Sequence, residues 1–196
     1  MTYTMFAASA GSGFYIGLGI AAAIVLAWFI GTYNAFVRLK QHCRESWSGI
    51  ETELKRRYDL IPNLVETVKG YAAHERQTLE MVIEARNRAA ANNGSPAQQA
   101  KDENLFVGAL GNLFALAENY PQLKASENYL ALQNELTNTE DRIQAARRFY
   151  NANVRDINTR IQVFPSNIIA RMFSFTPEEF FEVENSSVRQ AVGVKF

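Results

Sequence analysis

Residues 129–164 read YLALQNELTNTEDRIQAARRFYNANVRDINTRIQVF, and their spacing decides the fold. Tyr129, Leu132, Leu136, Thr139, Ile143, Ala146, Tyr150, Val154, Ile157, Ile161 and Phe164 recur by threes and fours. That period sets them along one side of an α-helix, a packed seam of the kind that bundles and coiled coils use. Pro165 ends it, because the residue before a proline avoids the helical region. Back toward the N-terminus the helical period persists and no strand alternation replaces it.

Trp47, Ile50, Leu54 and Tyr58 continue a first helix to about residue 58. Asp59 is expected to cap a second, with Pro62 in its first turn, where no N–H is required. Its apolar face runs through Ile61, Leu64, Val65, Val68, Ala72, Leu79, Val82, Ile83 and Ala89. Asn92-Asn93-Gly94-Ser95-Pro96 is the clearest break. A third helix is expected over 98–118, with Leu105, Leu110, Leu113, Phe114 and Ala117, ending near Asn119-Tyr120-Pro121. Four helices on short connections imply an all-α, antiparallel up-down four-helix bundle with a short C-terminal helical segment.

The chain opens differently. No charged side chain precedes Arg38, so all forty lie beyond Val37. Phe14 to Gly31, FYIGLGIAAAIVLAWFIG, is eighteen residues without a charge. As a helix it reaches about 27 Å, the thickness of a bilayer's hydrocarbon core. No basic stretch precedes it, which argues against a cleaved signal peptide. Arg38, Lys40 and Arg44 follow it, so the body is expected on the cytoplasmic side of the inner membrane and the N-terminus outside. Gly13, Gly17 and Ala21, and likewise Ala23, Ala27 and Gly31, recur every fourth residue. Such small faces allow close helix approach in lipid, and equally reflect the ordinary enrichment of Gly and Ala in membrane helices. The expected organisation is an external N-terminus (1–13), a transmembrane helix (14–36), a cytoplasmic bundle (37–165), an aromatic amphipathic segment (166–184) and a tail (185–196).

The chain carries no recognisable catalytic pattern. Cys43 is the single cysteine, so neither a disulfide nor a cysteine metal cage forms within the chain. His42 and His74 lack a glutamate three residues earlier, where Leu39 and Tyr71 stand, so no di-iron motif is present. No phosphate-binding loop, nucleophile elbow or zinc-protease motif occurs. Glu51/Glu53 and Glu178/Glu179 do not share a helix face. No enzyme, metal or cofactor is expected. Balanced charge gives no field for nucleic acid.

Two features remain. Glu140, Arg147, Asn151 and Asn158 form a polar stripe beside the seam, and asparagine is a poor helix former. The stripe is expected to bond Arg56, Arg57, Asp59 or Asn63 and fix helix register; an ordinary solvated face is the plainer reading. In the C-terminal segment, Thr176-Pro177-Glu178-Glu179 has the form of a capping box that starts a helix. Ile168, Ile169, Met172, Phe173, Phe175, Phe180 and Phe181 stand around it. They are expected to meet lipid beside Arg171 or a partner, or to fold back over the core.

The segments LKRRYDLIPNLVETVKGYAAHE (54–75), AENYPQLKA (117–125) and LQNELTNTEDRIQAARRFYNANVRDIN (132–158), with FP at 164–165, resemble the LemA family over essentially the whole chain. The resemblance implies an antiparallel four-helix bundle behind one transmembrane helix, with a cytoplasmic body. It brings no catalytic residue with it. The function expected is a membrane-anchored scaffold whose partners are the lipid bilayer, a second copy of the chain and an unidentified membrane or cytoplasmic protein. The alternatives are an accessory subunit of a membrane protease or other enzyme complex, and a membrane-organising oligomer.

Overall fold

A computed structural model describes residues 3–183, with side chains from residue 13 onward. The expected tail, 185–196, lies outside the described residues. Six helices follow in order: α1 (Tyr3–Lys69), α2 (Arg76–Ala91), α3 (Pro96–Ala117), α4 (Pro121–Lys124), α5 (Glu127–Gln162) and α6 (Ser166–Met172). Among the described residues none lies in a strand. The chain divides into two compact units, one of Met1–His42 with Arg155–Glu178, the other of Cys43–Val154 with the chain from Glu179.

In the first unit, α1 carries the apolar run Phe14–Gly31, whose residues are exposed apart from the half-buried Phe29. Further along α1, Phe36 is buried and stacks on Phe175, with centroids 4.8 Å apart. Ile157, Ile169 and Ala170 are buried in the same unit. α6 closes with the Phe175 N–H donating to the Ala170 carbonyl at 2.9 Å. Ser174 adopts the left-handed conformation that this closure requires, φ 55°, a place usually taken by glycine.

In the second unit the core is built from Ile50, Leu54, Ile61, Leu64 and Val68 of α1, Leu79 and Val82 of α2, and Phe106, Leu110 and Leu113 of α3. Leu123 of α4 and Leu136, Ile143 and Val154 of α5 complete it. Each buried aliphatic side chain contributes about 1.5–3 kcal/mol. Along the α1–α5 contact the numbers rise on one helix as they fall on the other: Ser46 meets Asn153 (3.1 Å), Trp47 meets Tyr150 (ring centroids 5.3 Å) and Arg57 meets Glu140 (2.7 Å).

Four expectations need correction. The first helix does not stop at Tyr58: α1 runs on to Lys69 with Pro62 inside it. A proline there has no N–H for the Tyr58 carbonyl, and that carbonyl instead accepts from Arg86 Nε of α2 at 3.1 Å. The break falls at 70–75, so the apolar face expected over 61–89 is shared between α1 and α2. In α3 the core residue is Phe106, whereas Leu105 is exposed. At the end of α5, Phe164 is 75 % exposed and leaves the seam. Finally, 175–183 contains no helix, so Thr176-Pro177-Glu178-Glu179 does not start one. The box that does form is at α3, where Ser95 Oγ accepts from Gln98 N (3.4 Å) and Gln98 Oε1 from Ser95 N (3.3 Å). A side chain on Gly94 would strike that Gln98 oxygen.

Candidate functional site

In the second unit α1, α3 and α5 bring charged groups into the core. Glu103 of α3 is fully buried and Arg57 of α1 is 3 % exposed. The Glu103 carboxylate accepts from Arg57 Nη2, from the Tyr58 hydroxyl and from Gln99 Nε2 (2.9 Å). Arg57 Nη1 donates to Glu140 of α5 at 2.7 Å, and its guanidinium lies 5.1 Å from the centre of the Phe106 ring. Gln99 also donates to the Ala89 carbonyl at 3.1 Å and so ties α2 into the cluster. Beside it, Asp102 accepts from Arg88 Nε (2.7 Å) and Asn92 Nδ2 (2.5 Å). Burial pushes the Tyr58 hydroxyl well above the usual phenol range, and the adjacent Glu103 charge adds to the effect. Tyr58 is therefore a hydrogen-bond donor at neutral pH.

The arrangement spends most of its donors and acceptors internally, with Arg57 Nε shielded from solvent and left over. A buried carboxylate with three donors costs little while they remain and leaves an uncompensated charge if one is removed. Such a cluster fixes how three helices meet. Beside it lies a cleft of about 450 Å³, with Tyr58 and Gln99 on one side and Trp47, Lys55, Asp59 and Arg86 around it. Among the described residues no group of His, Cys, Asp or Glu has a metal-binding arrangement.

The stripe residues divide in a way the sequence did not reveal. Glu140 pairs with Arg57, whereas Arg56 pairs with Glu135 at 2.7 Å. Asp59 approaches Arg86 at 3.9 Å, and the exposed Asn63 gives its backbone carbonyl to Thr67 Oγ1 (2.8 Å). Arg147, Asn151 and Asn158 bond the extended C-terminal segment instead of the first hairpin. Within the second unit, the carbonyls of Glu179, Phe181 and Val183 accept in turn from Tyr150 (2.8 Å), Asn151 (3.1 Å) and Arg147 (2.6 Å). These are alternate residues, as an extended strand presents one edge every second residue. Asn151 Oδ1 also takes the Phe181 N–H (3.0 Å), and the buried Phe181 ring lies against Trp47. Within the first unit, Asn158 makes the same two-way pairing with Glu178 (2.9 Å each). An asparagine amide matches a peptide group bond for bond, which accounts for this residue type in mid-helix.

The other aromatic and aliphatic candidates also separate. Ile169 and Phe181 are buried, and Phe175 packs on Phe36. Ile168, Met172, Phe173 and Phe180 are exposed. Phe173 touches Phe29 and Tyr33 of α1, at 5.9 and 4.7 Å between centroids. Among the small residues of the span, a side chain added at Gly13, Gly17 or Gly31 would meet nothing within 4 Å. Ala21, Ala23 and Ala27 are likewise exposed.

Gln99, Asp102 and Glu103, and the part Tyr58 plays in the polar cluster, were missed by sequence reasoning. The available signal was Glu103 standing three and seven residues before Phe106 and Leu110, in the apolar stripe of α3.

The LemA family profile matches residues 46–196. This chain belongs to the LemA family. It is 27% identical to Protein LemA of Metamycoplasma hominis, an alignment that covers 82% of this chain and 77% of that one. It is 26% identical to Magnetosome protein MamQ 1 of Paramagnetospirillum magneticum, over 88% of this chain and 74% of the relative. Against Magnetosome protein MamQ of Magnetospirillum gryphiswaldense the identity is also 26%, over 76% and 64%. The match takes in α2 to α6 and the part of α1 that holds the buried arginine.

Proposed function

We propose that this LemA family protein is a single-pass membrane scaffold that presents an antiparallel four-helix bundle to the cytoplasm and acts through protein contacts rather than catalysis. One observation carries the reading. The eighteen apolar residues Phe14–Gly31 and the helix that supplies Arg57 and Tyr58 to the core are one continuous α1, and the apolar part is exposed. Apolar surface on that scale is stable in lipid and costly in water. Orientation follows from Arg38 and Lys40 just after the run. The non-catalytic reading is supported by a cluster whose charged groups bind each other. Alkaline extraction of membranes followed by protease treatment of intact cells tests the proposal. The chain should stay in the membrane pellet with its body protected; release into the supernatant would sink it.

The likeness to proteins named for the magnetosome favours a second reading, a membrane-organising oligomer. The uncovered glycine faces of α1 suit helix–helix contact in lipid. Cross-linking that survives dilution with excess lipid, and is lost in Gly17→Leu, would select it.

A further inference from the structure

The unit that carries the apolar run also holds an open cleft of about 590 Å³. α1 supplies Trp28 and Thr32 to it, α5 supplies Arg155, Thr159 and Arg160, and Phe164 forms part of its lining. We propose that this cleft binds the headgroup phosphate of an anionic phospholipid from the leaflet on the cytoplasmic side. The proposal rests on the membrane reading of α1.

Depth is the first argument. Trp28 belongs to the apolar run and Thr32 follows its last residue, Gly31. A cleft lined by both lies where hydrocarbon gives way to headgroups, the level at which tryptophan rings concentrate. Charge is the second. Arg155 and Arg160 outnumber the one acid of the lining, Asp156. The same unit holds five basic side chains, Arg38, Lys40, Arg155, Arg160 and Arg171, against Asp156 and Glu178, in a chain whose total is neutral. Arginine matches phosphate oxygens with a planar fork of donors, and basic pockets on the cytoplasmic side of membrane helices suit lipid headgroups. Unspent hydrogen bonding is the third. Arg160 Nε is shielded from solvent without a partner, while its guanidinium sits 5.9 Å from the Phe36 ring centre. Exposed apolar side chains separate a lipid from a soluble anion. Phe164 and Val163 of the lining are 75 % and 51 % exposed. A free phosphate would leave those apolar side chains in water, whereas an acyl chain beside the headgroup covers them.

The full-length protein reconstituted in nanodiscs of mixed phosphatidylglycerol and phosphatidylcholine, then delipidated and weighed by native mass spectrometry, tests this. Phosphatidylglycerol should be retained over phosphatidylcholine, and Arg155→Ala/Arg160→Ala should reduce that preference about tenfold or more. The milder Arg160→Gln should reduce it in part while the circular dichroism of the helices is unchanged. Equal retention of the two lipids, a preference that survives the double substitution, or displacement of the bound lipid by inorganic phosphate would each overturn the assignment. Membrane sedimentation reads the span separately: if the wild type sediments with membranes but retains the two lipids equally, the cleft proposal fails and the anchor stands. If the wild type fails to sediment with membranes, both fall.

Discussion

The two stretches of α1 make opposite use of apolar side chains. Over Phe14–Gly31 they cover every side of the helix and all but the half-buried Phe29 are exposed; over Cys43–Lys69 they keep to a stripe that includes Ile50, Leu54, Ile61, Leu64 and Val68, all buried. One helix is thus written for two solvents. A stripe signals neighbours within the fold, whereas a coat on all sides signals that the surroundings themselves are apolar. Charge follows the same division. The first stretch has none, and the second hides one arginine, Arg57, behind Glu103 and Glu140.

The contrast breaks most severely at Glu103. Glu103→Ala leaves Arg57 buried with only Glu140, and should cost about 3–5 kcal/mol, read as an earlier denaturation midpoint of the soluble part while the chain stays membrane-bound. Val25→Arg tests the other stretch. It should disfavour insertion by about 2.5–3.5 kcal/mol and raise the carbonate-extractable fraction, with the unfolding midpoint unmoved. If either substitution disturbed both readouts equally, the two stretches would not be independent. Asn151→Ala removes the two-way clamp on Phe181 and should cost about 1–3 kcal/mol, with faster amide exchange at 179–183. Smallest of all, Ser174→Gly relieves a left-handed serine and should raise stability by about 1 kcal/mol in the same denaturation experiment.

What the sequence disclosed follows periodicity. The α5 seam from Tyr129 to Ile157, the apolar run and the break at 92–96 are repetitive or compositional signals, and each has its counterpart in the structure. What stayed hidden depends on single partners distant in the chain. Pro62 looked like a helix start because a proline in a first turn costs nothing; inside α1 it is tolerated because Arg86 takes over the carbonyl it orphans. Glu103 drew no reading at all, since no local pattern announces that Arg57, Tyr58 and Gln99 converge on it. The stripe on α5 was visible as an oddity, but three of its four residues bond peptide groups of an extended segment, which carry no side-chain signature. Local propensity favoured a helix at 176–179; amide and hydroxyl pairing from α5 overrides it.

The orphaned carbonyl at Tyr58 reverses an ordinary expectation about protein engineering. Replacing a mid-helix proline with alanine normally strengthens a helix. Here Pro62→Ala would give the Tyr58 oxygen a backbone donor of its own helix, which shares that acceptor with Arg86 and weakens the link to α2. A sturdier rod would then be joined more loosely to the hairpin behind it, so the gap in the rod's own hydrogen bonding is the fastening.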